Sequence, residues 1–177
     1  DAAQGFGGEI REEKAGSFGD VACTSFFPAK PLGCYGDGGA VFTNDEELAH
    51  KMRSIRIHGS GSDKYENIRI GINGRIDTIQ AAILLEKLSI FNDELILRNK
   101  IANHYSNNIT SNFIKPFIPK GYLSSWAQYS LLASSEIERN EIKSNSYLTR
   151  TGGNYCYFSD NITRRSISLN TVFKLWL

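Results

Sequence analysis

The amino-acid sequence predicts an α/β fold, and three observations support that prediction. Two short runs of β-prone apolar residues, at 21–27 and 40–43, are typical of buried strands. Later segments repeat an apolar residue every three or four positions, which is typical of helices. A glycine-dense loop at 31–39 separates the two strand runs.

The two strands and the helix after them have recognisable ends. Pro28 ends the first strand, because proline has no N–H to donate to a neighbouring strand. Thr43 and Glu46 follow the second strand with the spacing of a capping box, which predicts the start of a helix. The apolar stripe of that helix consists of Leu48, Met52 and Ile55.

The middle of the chain combines a polar segment with strongly apolar helices. The segment 58–74 contains glycines and predicts a loop, with a short strand at 67–70. A second helix is predicted from Asp77, and its apolar residues on most faces indicate burial against more than one neighbour. Residues 91–93 predict a kink before a further helix, whose stripe is Leu97, Ile101 and Tyr105.

The C-terminal third has weaker patterns. Pro116 and Pro119 lie in a turn-rich stretch that is suited to link two domains. Alternation at 125–133 predicts a strand, and 135–147 predicts a charged surface helix. Neither a helical stripe nor a strand alternation runs through 154–177.

Composition argues against several functional classes. The 177 residues carry 20 Lys plus Arg against 19 Asp plus Glu, a net charge of +1. Nucleic-acid binders and polybasic membrane anchors need clustered positive charge, so neither partner is expected. The longest apolar run, 81–85, is far shorter than a membrane span, and the N-terminus lacks the features of a signal peptide.

Cysteine, histidine and methionine usage adds three expectations. The cysteines at 23, 34 and 156 are odd in number and unevenly spaced, which predicts a reducing, cytoplasmic location without a disulfide framework. The three histidines show no zinc spacing, so no metal site is expected. Met52 is the only methionine, which suggests a chain that starts inside a longer protein.

Lys30 is the first candidate for chemistry. It follows a buried strand and a proline, and a lysine that loses part of its hydration there suits a Schiff-base nucleophile. The alternative is an ordinary solvated lysine. Ser25, on the same strand, can donate to a phosphate or make only a local backbone hydrogen bond. Arg75 precedes the apolar helix and suits either an anionic ligand or a structural ion pair, and Asp1 can be a solvated terminal acid.

Several blocks together resemble the DegT/DnrJ/StrS family of sugar aminotransferases, which use pyridoxal 5'-phosphate. These blocks are DAAQ at 1–4, SFGD at 17–20, SFFPAK at 25–30, GDGGA at 36–40, HG at 58–59, GINGRID at 71–77 and QAA at 80–82. Their order and spacing carry the resemblance from residue 1 to about residue 105. The sequence of residues 28–36 most resembles that of the family branch that acts on UDP-2-acetamido-2-deoxy-3-oxo-glucuronate.

The resemblance implies roles for four residues at the cofactor. Lys30 would bond covalently to it and act as the catalytic base and acid. Asp1 would pair with the protonated pyridine nitrogen, and Gln4 would lie against the ring. Ser25 would hold the phosphate.

Two further residues would act across a subunit interface. The resemblance implies a homodimer with shared active sites, in which Asn73 reaches the phosphate of the partner subunit's cofactor. Arg75 would cross the same interface towards the acidic sugar nucleotide. The implied reaction transfers an amino group from L-glutamate to a keto sugar nucleotide, for bacterial surface polysaccharide biosynthesis.

Alternatives to this activity remain at this point. One is a catalytically incomplete fragment that only pairs with other chains. The other is a sugar dehydratase of the same family, which Lys30 disfavours because such relatives carry histidine in its place.

The resemblance also implies a division of the chain. Its fold would be fold-type I, with the C-terminal part of the large domain and connecting helices at 1–115 and the start of the small domain at 116–152. The family's large domain begins well before Asp1, so these residues alone are expected to be inactive. Residues 153–177 depart from the family pattern, and we expect a shifted reading frame or an error of sequence assembly there.

Overall fold

The computed structural model describes residues 1–63, 65–109, 112–148, 156–157 and 166–169. These residues contain both helices and strands, in agreement with the predicted α/β class. In chain order the elements are β1 (Glu9–Ile10), β2 (Glu13–Lys14), β3 (Ala22–Ser25), β4 (Gly39–Phe42), α1 (Glu46–Arg56), α2 (Thr78–Asn108), β5 (Tyr122–Leu123), β6 (Tyr129–Leu132), α3 (Glu136–Leu148), β7 (Cys156–Tyr157) and β8 (Ser166–Leu169).

The antiparallel pair β3–β4 confirms the two predicted strands. Ala22 lies opposite Phe42, and Ser25 lies opposite Gly39. Strand β3 is shorter than predicted, however. Only its alternate residues are buried, as is typical of a strand with one covered face. Phe27, which the apolar run included, lies beyond the strand and is exposed.

Helix α1 begins two residues later than the predicted capping box. Its N-cap is Asp45, whose side chain accepts a hydrogen bond from the N–H of Leu48 at 3.0 Å. The Thr43 hydroxyl donates to the carbonyl of Asp20 at 2.7 Å, and its oxygen accepts the N–H of Asp45, the residue before the helix, at 3.1 Å. The capping box of Thr43 and Glu46 is therefore wrong.

Helix α2 is a single helix of 31 residues, where the sequence predicts two. The separate helix predicted after residues 91–93 is wrong, because α2 continues through these residues and Phe91 is buried in the core. The predicted burial of the helix that starts at Asp77 against more than one neighbour is not confirmed, because its residues up to Leu88 join one core only among the described residues. Its first half joins a core with Leu32 and Cys34, and Ala102 joins a second core with Tyr129. Several of its other apolar residues are exposed, including Leu85 and Leu88.

The predicted strand at 67–70 is not formed among the described residues. The β-pairing of this segment is limited to an isolated bridge between Ser60 and Asn67. Instead, a small sheet of order β2–β1–β5 forms, which the sequence does not predict. Its two-residue strands are too short for an alternation to be visible in the sequence.

The C-terminal third contains the predicted strand and the predicted helix. They are β6 and α3, within a few residues of the expected bounds. Strand β8 pairs with β6 and with β7 in one antiparallel sheet. Ser134 donates its hydroxyl and its N–H to Glu138 beside the start of α3, which holds the pKa of that carboxyl below its ordinary value.

Two expectations are not settled by this architecture. The domain boundary near 115 stays a prediction. Most of 153–177, the segment assigned to a shifted reading frame, lies outside the described residues, except for β7 and β8. No helix in the described part combines the length and the apolar character needed to cross a membrane.

Candidate active site

Residues 1–4 lie against β3, the strand that leads to Ser25. The N–H of Ala2 donates to the carbonyl of Cys23 at 2.7 Å, and the buried Thr24 hydroxyl donates to the carbonyl of Ala2 at 3.2 Å. The Asp1 carboxylate accepts the N–H of Ala3 at 2.7 Å, and this bond orients the carboxylate. Asp1 is thereby held beside the strand, with its side chain exposed.

Ser25 is the last residue of β3 and is partly buried. Its Oγ accepts a hydrogen bond from the N–H of Phe27 at 3.2 Å. This is the local backbone bond that the sequence left open. Because the hydroxyl accepts in this bond, its own hydrogen is still available for donation to an anion.

Lys30 lies in a tight turn directly after this strand. Its N–H donates to the carbonyl of Phe27 at 2.9 Å, and the chain then folds back so that the N–H of Cys34 donates to the carbonyl of Phe26 at 2.8 Å. The Lys30 side chain is partly buried. Within the described part of the chain, its ammonium group makes no hydrogen bond or ion pair.

Gly33 allows this fold-back. A Cβ atom at position 33 would lie 2.6 Å from the carbonyl oxygen of Phe27 and 2.8 Å from that of Pro28. The lack of a side chain at position 33 therefore lets the loop pass close to the backbone of residues 27 and 28.

Ser125 holds the segment that carries Gln4, and the sequence offers no sign of this role. Its buried hydroxyl donates to the Gln4 carbonyl at 2.9 Å, across 121 positions of the chain. Next to it, the buried Trp126 has a φ of 49°, a conformation that costs energy in a residue with a side chain. Its indole N–H donates to Asn99 Oδ1 at 2.9 Å, which anchors it on α2.

Three polar residues of α2 contact the loop that follows Lys30, and sequence reasoning also missed these. They are Gln80, Lys87 and Arg98. Their positions continue the buried apolar face of the helix. This spacing was the signal from which their contact with the loop could have been predicted.

Asn73 and Arg75 form a separate group. Arg75 Nε donates to Asn73 Oδ1 at 2.9 Å, and both side chains are exposed. The backbone around them rests on the end of α1, where the N–H of Gly74 donates to the carbonyl of Arg56. Among the described residues, no hydrogen bond or ion pair connects Asn73 or Arg75 with Asp1, Ser25 or Lys30.

A cavity of about 1040 Å³ lies beside the β3–β4 pair and α1. Its walls include Cys23, Val41 and Met52, but none of the six residues predicted for the site. The described residues also contain no cluster of three or more His, Cys, Asp or Glu side chains that could bind a metal ion.

Comparisons with known proteins identify the family of this chain. Residues 1–164 match the sequence profile described as the DegT/DnrJ/EryC1/StrS aminotransferase family. The chain is 52% identical over 132 residues to the UDP-2-acetamido-2-deoxy-3-oxo-D-glucuronate aminotransferase of Pseudomonas aeruginosa. It is 38% identical over 135 residues to the UDP-N-acetyl-3-dehydro-alpha-D-glucosamine 3-aminotransferase of Acidithiobacillus ferrooxidans.

The matched regions cover 74% of this chain and 36% of each of these relatives. The crystal structure of a DegT DnrJ EryC1 StrS aminotransferase from Brucella abortus superposes with a TM-score of 0.83 at 40% identity. That match covers 96% of this chain and 50% of the solved chain. The α/β fold is therefore part of the fold-type I architecture, and the chain belongs to the DegT/DnrJ/EryC1/StrS aminotransferase family.

Proposed function

We propose that this protein catalyses the transfer of an amino group from L-glutamate to a keto sugar nucleotide, with pyridoxal 5'-phosphate as cofactor. A UDP-linked 3-keto sugar is the favoured substrate, because both curated relatives described above are named for UDP-linked sugars oxidised at that carbon. The observation that carries the proposal is Lys30. It has an ammonium group without a partner among the described residues, and it follows the strand that carries Ser25.

The chemistry of the nearby groups fits this cofactor. An aldehyde reacts with a primary amine, and Lys30 supplies one. A phosphate accepts hydrogen bonds, and the Ser25 hydroxyl retains a hydrogen to donate. A protonated pyridine nitrogen pairs with a carboxylate, and Asp1 supplies one that is oriented by the N–H of Ala3. Gln4, whose carbonyl is held by Ser125, would lie against the ring.

The proposed work of the chain is binding, orientation and proton transfer. When bound, the cofactor supplies an electron sink for the pair left behind when a carbon loses its proton. Lys30 Nζ takes the proton from the α-carbon of glutamate and later delivers one to the sugar carbon that gains nitrogen. Asp1, Gln4 and Ser25 keep the cofactor in place during these transfers.

Asn73 and Arg75 are proposed to act across a homodimer interface. Their exposure and their separation from the Lys30 group support this assignment, since residues that serve a partner subunit must face outwards. Arg75 is suited to an acidic sugar nucleotide because its guanidinium carries several donors for carboxylate or phosphate. A cytoplasmic location and a place in bacterial surface polysaccharide biosynthesis belong to the same proposal.

The first experiment tests Lys30. The chain is incubated with pyridoxal 5'-phosphate and reduced with borohydride, and the pyridoxyl group is located by peptide mass spectrometry. We expect it on Lys30 in the parent chain and in the matched control Lys100→Arg, and we expect its loss from position 30 in Lys30→Arg. Labels spread over exposed lysines, with no preference for Lys30, would contradict the proposal.

The second experiment tests the reaction. The longest in-frame product of the gene is assayed with L-glutamate and a panel of keto sugar nucleotides, and 2-oxoglutarate is measured. The proposal expects release with UDP-linked 3-keto sugars and none from Lys30→Arg. If only the longer product is labelled and active, the 177 residues alone are catalytically incomplete, as in the alternative stated from the sequence.

A further inference from the structure

One face of α2 lies along the loop that follows Lys30. The residues of this face occupy positions 80, 84, 87, 91, 95 and 98, a spacing of three or four that keeps them on one side of a helix. Leu84, Phe91 and Leu95 are buried there and share a core with Leu32 and Cys34 of the loop. The apolar residues therefore bring helix and loop together.

The polar residues of the same face bind the loop backbone. Gln80 Oε1 accepts the N–H of Tyr35 at 2.8 Å. Lys87 Nζ donates to the carbonyl of Gly33 at 2.6 Å, and Arg98 Nη2 donates to the carbonyl of Pro31 at 3.2 Å. Residues 31, 33 and 35 are alternate residues of the loop, so the three bonds follow its length.

These contacts are made by groups that are costly to bury. Burial lowers the pKa of Arg98, an effect that the nearby Glu94 opposes, and the Nε of Arg98 has no hydrogen-bond partner among the described residues. The Lys87 ammonium also lies 5.0 Å from the centre of the Tyr35 ring, a second contact with the same loop. An apolar face would pack on Leu32 and Cys34 without burying charge. The charged residues therefore do more than pack, because they also bind the backbone of the loop.

We propose that Gln80, Lys87 and Arg98 are positioning residues for Lys30. The strand before Lys30 is held by β4, and these three residues hold the loop after it, so the turn between the two is fixed at both ends. A lysine that must reach a bound ring and a substrate carbon depends on the placement of its backbone, because misplacement by about 1 Å can cost about a hundredfold in rate. This inference rests on the proposed function of Lys30.

The test uses two independent substitutions and two matched controls. Gln80→Leu removes the acceptor for the Tyr35 N–H, whereas Gln80→Glu retains it. Lys87→Met removes the ammonium group but retains the aliphatic chain. Lys100→Met makes the same change at an exposed lysine of α2. The midpoint temperature of thermal unfolding is measured for each variant. Each variant is then compared with the parent chain at a temperature below that midpoint.

Two readouts do not depend on the proposed function. Loss of one hydrogen bond of about 1.4 kcal/mol raises local opening about tenfold, so hydrogen exchange of the Tyr35 amide should rise by that factor in Gln80→Leu. Acetylation of the partly buried Lys30 should rise in Gln80→Leu and in Lys87→Met, relative to the exposed Lys120. Gln80→Glu and Lys100→Met should resemble the parent chain in both measurements.

A third readout measures the positioning itself. Borohydride-trapped labelling of Lys30 by pyridoxal 5'-phosphate should fall several-fold in Gln80→Leu and Lys87→Met, opposite to the change in acetylation. Unchanged hydrogen exchange and acetylation in both variants would overturn the inference. Faster exchange and acetylation together with unchanged labelling of Lys30 would also overturn it. Absence of labelling in the parent chain counts against the proposed function, and exchange and acetylation still decide whether α2 holds the loop.

Discussion

Gly33 determines whether the backbone can form the fold-back after Lys30. A side chain at this buried position would meet the carbonyl oxygens of Phe27 and Pro28, which belong to the backbone and cannot rotate away. We expect Gly33→Ala to lower the free energy of unfolding by about 1–3 kcal/mol, the usual cost of overpacking. Urea denaturation measures this change.

Gly5→Ala is the matched control for that substitution. A Cβ atom at position 5 would lie 3.6 Å from the Cβ of Ala15, an ordinary contact. The two variants should therefore differ by at least about 1 kcal/mol. Equal stabilities would mean that the loop relaxes around a side chain at position 33.

At the residue scale, the sequence was informative where the relevant groups are neighbours in the chain. Ser25 and Lys30 are separated by one turn, so their proximity follows from the strand and the proline between them. Ser125 could not be predicted, because its role depends on a carbonyl 121 positions away. The roles of the predicted site residues remain proposals.

Helix α1 shows which of two polar residues before its start acts as the N-cap. Thr43 and Asp45 both precede the helix, but the Thr43 hydroxyl donates to Asp20 and Asp45 accepts the N–H of Leu48. We expect Asp45→Ala to lower the free energy of unfolding by about 1 kcal/mol, the usual effect of losing an N-cap. Chemical denaturation monitored by circular dichroism measures it.

Two further variants test the assignment of this cap. Asp45→Asn retains an acceptor oxygen and should recover most of the stability. Asn44→Ala changes an exposed neighbour and should have little effect. An equal loss in Asp45→Asn and Asp45→Ala would assign the effect to charge and not to the hydrogen bond.

Among the elements, several with a clear local pattern were predictable, and the two-residue strands of the β2–β1–β5 sheet were not. β3, β4, α1 and α3 lie close to their predicted positions. The continuity of α2 was not predicted, because residues 91–93 include two poor helix formers whose propensity is overridden by the burial of Phe91.

At the scale of the whole molecule, α2 connects two cores. Its first half packs on the Lys30 loop, and Ala102 packs in the core around Tyr129. Between these cores, Asn99 binds the indole of Trp126, and Ser125 binds the carbonyl of Gln4. The segment that begins with Asp1 is thus connected to the C-terminal third of the chain.

The Ser125 bond provides a test of that connection. Ser125→Ala leaves the Gln4 carbonyl without its donor, and we expect a loss of about 1 kcal/mol in the free energy of unfolding. Hydrogen exchange of the amides at 5–8 should rise at the same time. Ser62→Ala, at an exposed serine, is the control. A loss of stability without faster exchange near Gln4 would show that the bond does not hold this segment.

The sequence by itself determined the local features of this protein: two strands around a glycine-rich loop, a lysine at the end of the first strand, and the order of blocks that marks the family. These features depend on residues that are adjacent in the chain or repeat with a regular period. Only the tertiary structure decided that α2 is continuous, and that Gln80, Lys87, Arg98 and Ser125 bind the segments around Lys30 and Gln4. Those outcomes depend on single hydrogen bonds and buried contacts between residues far apart in sequence, which local propensity and periodicity do not encode.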